Sequence, residues 1–269
     1  MIRKKKSGIE WLEFSLFSAF PELVHGVFFK QEGHSWVSFD KENSNAESAK
    51  ESIRKLLDCE KIFLPHQIHG VQCVDVYRHF ECDLVCDALM TNENSVGLGI
   101  LHADCQAAII YDPCHKVIAT VHAGWRGMVA GIYGKTISAL GERYGTRPAD
   151  LLVAIGPSLG PQHAEFIHYR TEFPKSFWPF RKGEYTFDLW KIALWQLEQA
   201  GVLEKRVELA ERCTYGDNEK FFSYRRDKTK GRHATVVALR SSCSKPILLF
   251  LVYTSAFKNW KFGKKVPCI

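Results

Sequence analysis

Residues 96–127 read VGLGILHADCQAAIIYDPCHKVIATVHAGWRG, and the fold class turns on this stretch. Three short apolar runs, at residues 96–101, 107–111 and 116–121, follow one another with Ala103-Asp104-Cys105 between the first two and Asp112-Pro113 between the last two. Their β-branched content and the breaker between them predict neighbouring strands at the centre of a sheet. Past Gly127 the spacing changes. Val129, Ile132, Ile137 and Leu140 fall close to one helical stripe, which ends at Gly145, a residue suited to a helix C-cap. The third strand therefore feeds a helix through the turn His122-Ala123-Gly124-Trp125-Arg126-Gly127.

Working outward, residues 11–17 and 23–30 read as strands, the second running into the turn residues 31–35 and leaving Lys30 at its end. Residues 46–57 place Ile53, Leu56 and Leu57 on one face behind possible caps Ser44 and Asn45, the pattern of an amphipathic helix. Strands are expected at 61–64, stopped by Pro65, and at 71–76. Downstream, a strand at 151–155 ends in Gly156-Pro157, Asp188 caps a helix through Ala200 that stops at Gly201, and residues 207–210 and 234–239 close the sheet. No fixed-period repeat or Pro/Gly/Ser linker is visible. Strands alternate irregularly with helices, so the expected class is α/β (α+β): a single domain of mixed β-sheets sandwiched with helices. That domain covers residues 1–240, and residues 241–269 form an extension of unassigned role.

Composition narrows the function classes. Apolar residues are 46% and charged residues 25% of the 269, the balance of a globular chain with a sizeable core. The net charge of +6 is spread along the chain, and no zinc-finger, helix-turn-helix or aromatic RNA-binding pattern accompanies it, so no nucleic-acid partner is expected. The most apolar stretch, residues 246–257, is about half of the ~20 residues a membrane helix needs. The basic start leads into a segment with Glu13 in its middle and no small-residue cleavage site, so it is not read as a signal peptide. Nine cysteines, an odd number without CxxC pairs, suggest a reducing, cytoplasmic setting with mostly buried free thiols. A monomer or small homo-oligomer is expected.

Three positions could carry chemistry. In His66-Gln67-Ile68-His69-Gly70, two histidines three apart in a loop could turn one or both imidazoles toward a metal, although an isolated HxxH also arises by chance. Cys105 stands at a bend between strands, where its side chain can face a cleft as a thiolate ligand or be a buried thiol. His122 stands at the C-terminal end of a strand before a glycine-rich turn into a helix, where side chains converge on the cleft of an α/β sheet. Arg126 in the same turn could clamp a phosphate, or be a surface arginine. Two neutral imidazoles and one thiolate would leave zinc a net charge near +1 and an open fourth position, a catalytic arrangement rather than a closed structural one. Nucleobase deaminases use a comparable ligand set.

With His25-Gly26-Val27-Phe28, Ile155-Gly156-Pro157, Asp188-Leu189, Phe222-Ser223-Tyr224-Arg225-Arg226 and Gly231-Arg232, these segments make the chain resemble the laccase-domain, multicopper-oxidase-like family. Its members act as purine nucleoside phosphorylases with adenosine deaminase activity and, in some bacteria, as peptidoglycan editing factors. The resemblance implies metal ligands at His69, Cys105 and His122, which are also the catalytic residues, and a bound zinc, with copper possible. It also implies phosphorolysis of adenosine, inosine, guanosine or methylthioadenosine, with some adenosine deamination. Lys30, Arg126 and Arg225 are the candidates to bind phosphate. This chain departs from the usual pattern at Lys30 and Glu32, at Gln106-Ala107 after the cysteine, and at Gln162, His163 and Phe166.

Two other readings compete. A copper polyphenol oxidase would need many histidines in HxH pairs, and none of the 11 histidines forms one. A metal-free cysteine hydrolase or amidase, compatible with peptidoglycan editing, would use Cys105 as nucleophile and His122 or His69 as base, leaving one of the three without a role.

Overall fold

The computed structural model describes residues 1–30, 36–37, 44–228 and 230–240. The expectations for residues 31–35 and for the extension 241–269 lie outside the described residues. The chain runs β1 (Ile2–Lys6), β2 (Ile9–Glu13), β3 (Leu23–Phe28), β4 (Trp36–Val37), α1 (Ser44–Leu57), β5 (Lys61–Phe63), β6 (Cys73–Asp75) and β7 (Ala88–Thr91). It continues through β8 (Val96–His102), β9 (Gln106–Asp112), β10 (Val117–Ala123), α2 (Trp125–Val129), α3 (Ile132–Tyr144) and β11 (Leu152–Ile155). Then come α4 (Tyr169–Glu172), α5 (Leu189–Gln199), β12 (Val207–Leu209), α6 (Tyr224–Asp227) and β13 (Gly231–Leu239).

Two mixed sheets result. One has the order β1-β2-β3-β13-β8-β5, with β4 pairing onto β13, and the other the order β12-β11-β9-β10-β7-β6. Most neighbours are antiparallel, but β5 with β8, β6 with β7 and β11 with β12 are parallel. The three runs of the deciding stretch are strands, yet they are not one sheet. β8 belongs to the first sheet, β9 and β10 to the second, and residues 103–105 cross between them.

Burial on both faces explains why these strands read as continuous apolar runs rather than alternating ones. Ile109 and Tyr111 of β9 and Ile118 of β10 face the first sheet, meeting Val27, Leu98 and Val237 in a shared core. Their sequence neighbours Ala108, Ile110, Ala119 and Val121 point the other way, under Ile132, Ile137 and Leu140 of α3 and Ile192 and Leu197 of α5. The outer face of the first sheet, with Ala234, Val236 and Ala238, is covered by Ile53 and Leu57 of α1. The period of two is present in both sheets but is masked because each face meets a different apolar layer. The architecture is therefore helix, sheet, sheet, helix.

Several boundaries differ from the sequence reading. Residues 11–17 divide into the end of β2 and a 3-10 turn at Ser15–Phe17. The strand expected at 71–76 shrinks to β6, and α1 begins at Ser44, so the expected caps lie inside the helix. The helix after Gly127 is broken at Ala130-Gly131: one turn, α2, precedes α3. Gly145 caps α3 in the left-handed region at φ +73, and the Asp188 carboxylate accepts from the Lys191 amide (3.0 Å) at the start of α5. β1 and β7 went unread. Of the seven described cysteines only Cys59 and Cys86 are fully buried, so the expectation of mostly core thiols fails for this set. Among the described residues no helix is long and apolar enough to cross a membrane.

Candidate metal centre

The three candidate ligands come from three separate chain segments. His69 lies in the loop between β5 and β6, Cys105 in the crossing between β8 and β9, and His122 within β10. One ligand atom from each lies within 4.8 Å of the other two. The Cys105 sulfur is 3.8 Å from His69 Nε2, and the two imidazoles stand nearly perpendicular with centroids 4.9 Å apart. The exposed His66 lines the same cavity but is not part of this group, so the HxxH loop contributes its second histidine alone.

One buried carboxylate organises the arrangement. Asp87, fully buried just before β7, accepts hydrogen bonds from the backbone N–H groups of Ile68 (3.2 Å), His69 (2.9 Å) and Gly70 (2.7 Å). These hold His69 in the left-handed region at φ +60. The same carboxylate meets His122 Nδ1 at 2.8 Å, so His122 Nε2 is the atom turned toward Cys105 and His69. A carboxylate behind a ligating histidine fixes its tautomer and orientation. Gly124 completes the packing: a Cβ there would come within 2.6 Å of the His69 ring and 3.2 Å of the Cys105 sulfur, so the glycine after β10 is required by close approach.

Burial alone would push the Cys105 thiol up, but the charge of His122 and hydrogen bonds from both histidines hold it below the usual thiol value. His122 moves the opposite way. Burial works against its charged form, and the thiolate together with Asp87 overrides that. The surroundings of Cys105 thus favour its thiolate, the form of cysteine that binds metal. Two imidazoles and one thiolate, with a carboxylate behind one histidine, are a donor set that could hold a metal ion. Burial pushes nearby His102 well below the usual histidine value.

The group opens into a cavity of about 900 Å³. Arg126 and Arg225 both line it, as the sequence suggested. The Arg126 guanidinium sits 4.2 Å from the centre of the Trp125 ring and forms no ion pair among the described residues. Arg225 donates twice to the Glu165 carbonyl (2.9 Å each) and lies 5.8 Å from the centre of the Phe166 ring. Lys30 is not brought to the cavity; its ammonium lies 5.6 Å from the centre of the Phe222 ring, away from the ligand group. The helix after His122 is a single turn, so an anion would depend on these arginines rather than on a long helix dipole.

The chain's departures have local explanations. The Gln106 side chain is taken up by the Tyr133 hydroxyl (2.7 Å) and the Leu189 carbonyl (2.9 Å). His163 stacks on Tyr215 and lies 3.4 Å from the sulfur of Cys213. His25 accepts from the Phe14 amide (2.7 Å) and is structural. Asp87 and Asp104 are the site residues that the sequence reading missed. An acid directly ahead of the apolar run 88–91 was the available signal for the first.

Residues 26–240 match the family described as multi-copper polyphenol oxidoreductase laccase. The chain belongs to this family. Within the laccase-like family, a purine nucleoside phosphorylase of Shigella flexneri is 31% identical over 182 residues, covering 64% of this chain and 72% of the relative. A protein of the same name from Pseudomonas aeruginosa is 32% identical over 229 residues, covering 77% and 90%. The crystal structure of YlmD from Geobacillus stearothermophilus superposes with a TM-score of 0.78 at 24% identity, over 89% of this chain and 99% of that one, which shows that the fold is shared. The family is one of enzymes, and the cluster His69, Cys105, His122 is a group that could hold a metal ion.

Proposed function

We propose that the protein is a zinc-dependent purine nucleoside phosphorylase with accessory adenosine deaminase activity, acting within residues 1–240. The observation that carries this reading is the convergence of His69, Cys105 and His122 on one point, with Asp87 orienting His122 and fixing the loop of His69. The names of the relatives support the substrate class. These three side chains would hold the ion. When bound, it supplies a Lewis acid and lowers the pKa of a water molecule.

The remaining work falls to the chain. Phosphorolysis needs an anion beside the ribose and stabilisation of charge as the base departs. Arg126 and Arg225, which both line the cavity, would grip phosphate, while Trp125 and Phe166, with ring centroids 6.0 Å apart, would offer apolar surface to a purine. Zinc is favoured over copper because no paired HxH histidines accompany the group. The depressed thiol of Cys105 supports a second reading, a metal-free cysteine hydrolase with His122 or His69 as base.

Metal content of freshly purified protein separates these. About one zinc per chain in the wild type, lost in His122→Ala, with release of base from adenosine, inosine, guanosine or methylthioadenosine only in the presence of phosphate, is the expected outcome. Absence of metal in both would favour the hydrolase, and stoichiometric copper the oxidase. Unchanged phosphorolysis and deamination in Cys105→Ala would sink the proposal.

A further inference from the structure

The crossing that carries Cys105 is three residues long and is held at the Asp104 carboxylate and at the carbonyls of Asp104 and Cys105. Asp104 sits in the left-handed region at φ +83. Its carboxylate accepts from the Thr214 hydroxyl (2.7 Å) and the Arg225 amide (2.6 Å), and its carbonyl accepts from the Leu159 amide (2.8 Å). The carbonyl of Cys105 itself faces His102 Nδ1 at 3.2 Å, and the other nitrogen of that ring lies 2.8 Å from the Thr235 hydroxyl of β13. A carbonyl oxygen only accepts, so Nδ1 carries the proton. With Nδ1 spent on the carbonyl, Nε2 is the nitrogen left to pair with the Thr235 hydroxyl. His233 packs beside it: its ring centre is 4.1 Å from that of His102, and neither of its nitrogens has a polar partner among the described residues. All three of these side chains are buried.

From this geometry we infer that His102 is a positioning residue for Cys105: its N–H bond to the Cys105 carbonyl fixes the direction in which the sulfur leaves the crossing toward His69 and His122. The peptide plane after Cys105 sets the backbone from which Sγ projects, and sites of this kind work only when the supporting residues hold each ligand within a fraction of an ångström. His102 is not one of the three candidate ligands. It acts through Cys105, with Thr235 pairing with its other nitrogen and His233 packing its ring.

The inference rests on the metal reading above, and the test separates the two. Full-length protein stripped of metal is titrated with Co²⁺, and the thiolate-to-cobalt absorption band and its binding curve are recorded alongside the melting temperature. His102→Leu should bind cobalt about 10- to 100-fold more weakly and with a diminished thiolate band, the usual effect of losing the group behind a ligand. His102→Asn, whose side-chain N–H can occupy the place of Nδ1, should recover most of the affinity. Thr235→Val should weaken binding in the same direction but less. Wild-type affinity and spectrum in both His102→Leu and Thr235→Val overturn the inference, as does His102→Asn behaving no better than His102→Leu. Should His102→Leu not fold, Thr235→Val equal to wild type overturns it. A wild type without any thiolate band overturns the metal reading instead. The positioning role is then judged by alkylation of Cys105 with iodoacetamide, expected slower in His102→Leu than in wild type, and equal rates overturn it.

Discussion

Strand β10 has a histidine–aspartate pair at each end, and the two pairs differ in what surrounds them. At its start, in the β9–β10 hairpin, His115 Nδ1 lies 2.8 Å from the fully buried carboxylate of Asp112, which also accepts from the amides of Cys114 (2.8 Å) and His115 (3.2 Å). At its far end, His122 Nδ1 lies 2.8 Å from the fully buried carboxylate of Asp87, which accepts from three amides of the His69 loop. Residue types, distance and backbone donors are nearly the same. The His115 side chain, however, is 43% exposed and belongs to no cluster of three potential metal ligands among the described residues, whereas that of His122 is 3% exposed and belongs to one with His69 and Cys105. A histidine against a buried aspartate is therefore not a site by itself. It becomes one where the free nitrogen of the ring meets other ligands in a cavity.

Substitutions can break or sharpen this contrast. The largest effect is expected at the far end: Cys105→Ala or His122→Ala should abolish metal retention measured by mass spectrometry, and retention of the ion in either would make the two ends equivalent. Asp87→Asn should follow, with about 10- to 100-fold weaker metal binding on titration, together with a lower melting temperature because the three loop amides lose their acceptor. At the hairpin, Asp112→Ala should cost about 1–3 kcal/mol in denaturant unfolding, the scale for leaving buried donors unpaired, without altering metal affinity. The smallest effect belongs to His115→Ala. Its exposed ring should contribute no more than about 1 kcal/mol, and a larger loss, or any change in metal content, would show that the hairpin pair does more than cap a turn.

The same contrast shows what the sequence could convey. Cys105 and His122 were readable because each stands where a strand ends and the chain turns, and His69 because it follows a strand and a proline. Asp87 was not, since a carboxylate ahead of an apolar run looks like a solvated boundary until its donors, 17 to 35 residues distant, are folded around it. Strands 8 to 10 were legible from apolar runs, but their division between two sheets was not, because a strand buried on both faces loses the alternation that would reveal its partner layer. Lys30 was grouped with Arg126 and Arg225 as a phosphate candidate, and it is not among the residues that line the cavity. The broken helix at Ala130-Gly131 escaped notice because its apolar stripe continues across the gap.

The loop of His69 joins β5 of one sheet to β6 of the other, and the bend of Cys105 likewise joins β8 to β9. The centre is therefore a clasp across the seam of the sandwich. In a nascent chain the clasp is incomplete until both sheets have formed and docked, so any ion it holds would be captured in the last stage of folding. By mass action an ion bound only in the docked state stabilises that state by RT ln(1 + [M]/Kd), about 2.7 kcal/mol at a hundredfold excess over Kd. Scarcity of the ion would thus register as a shorter lifetime of the whole sandwich in the cell, before any turnover is measured.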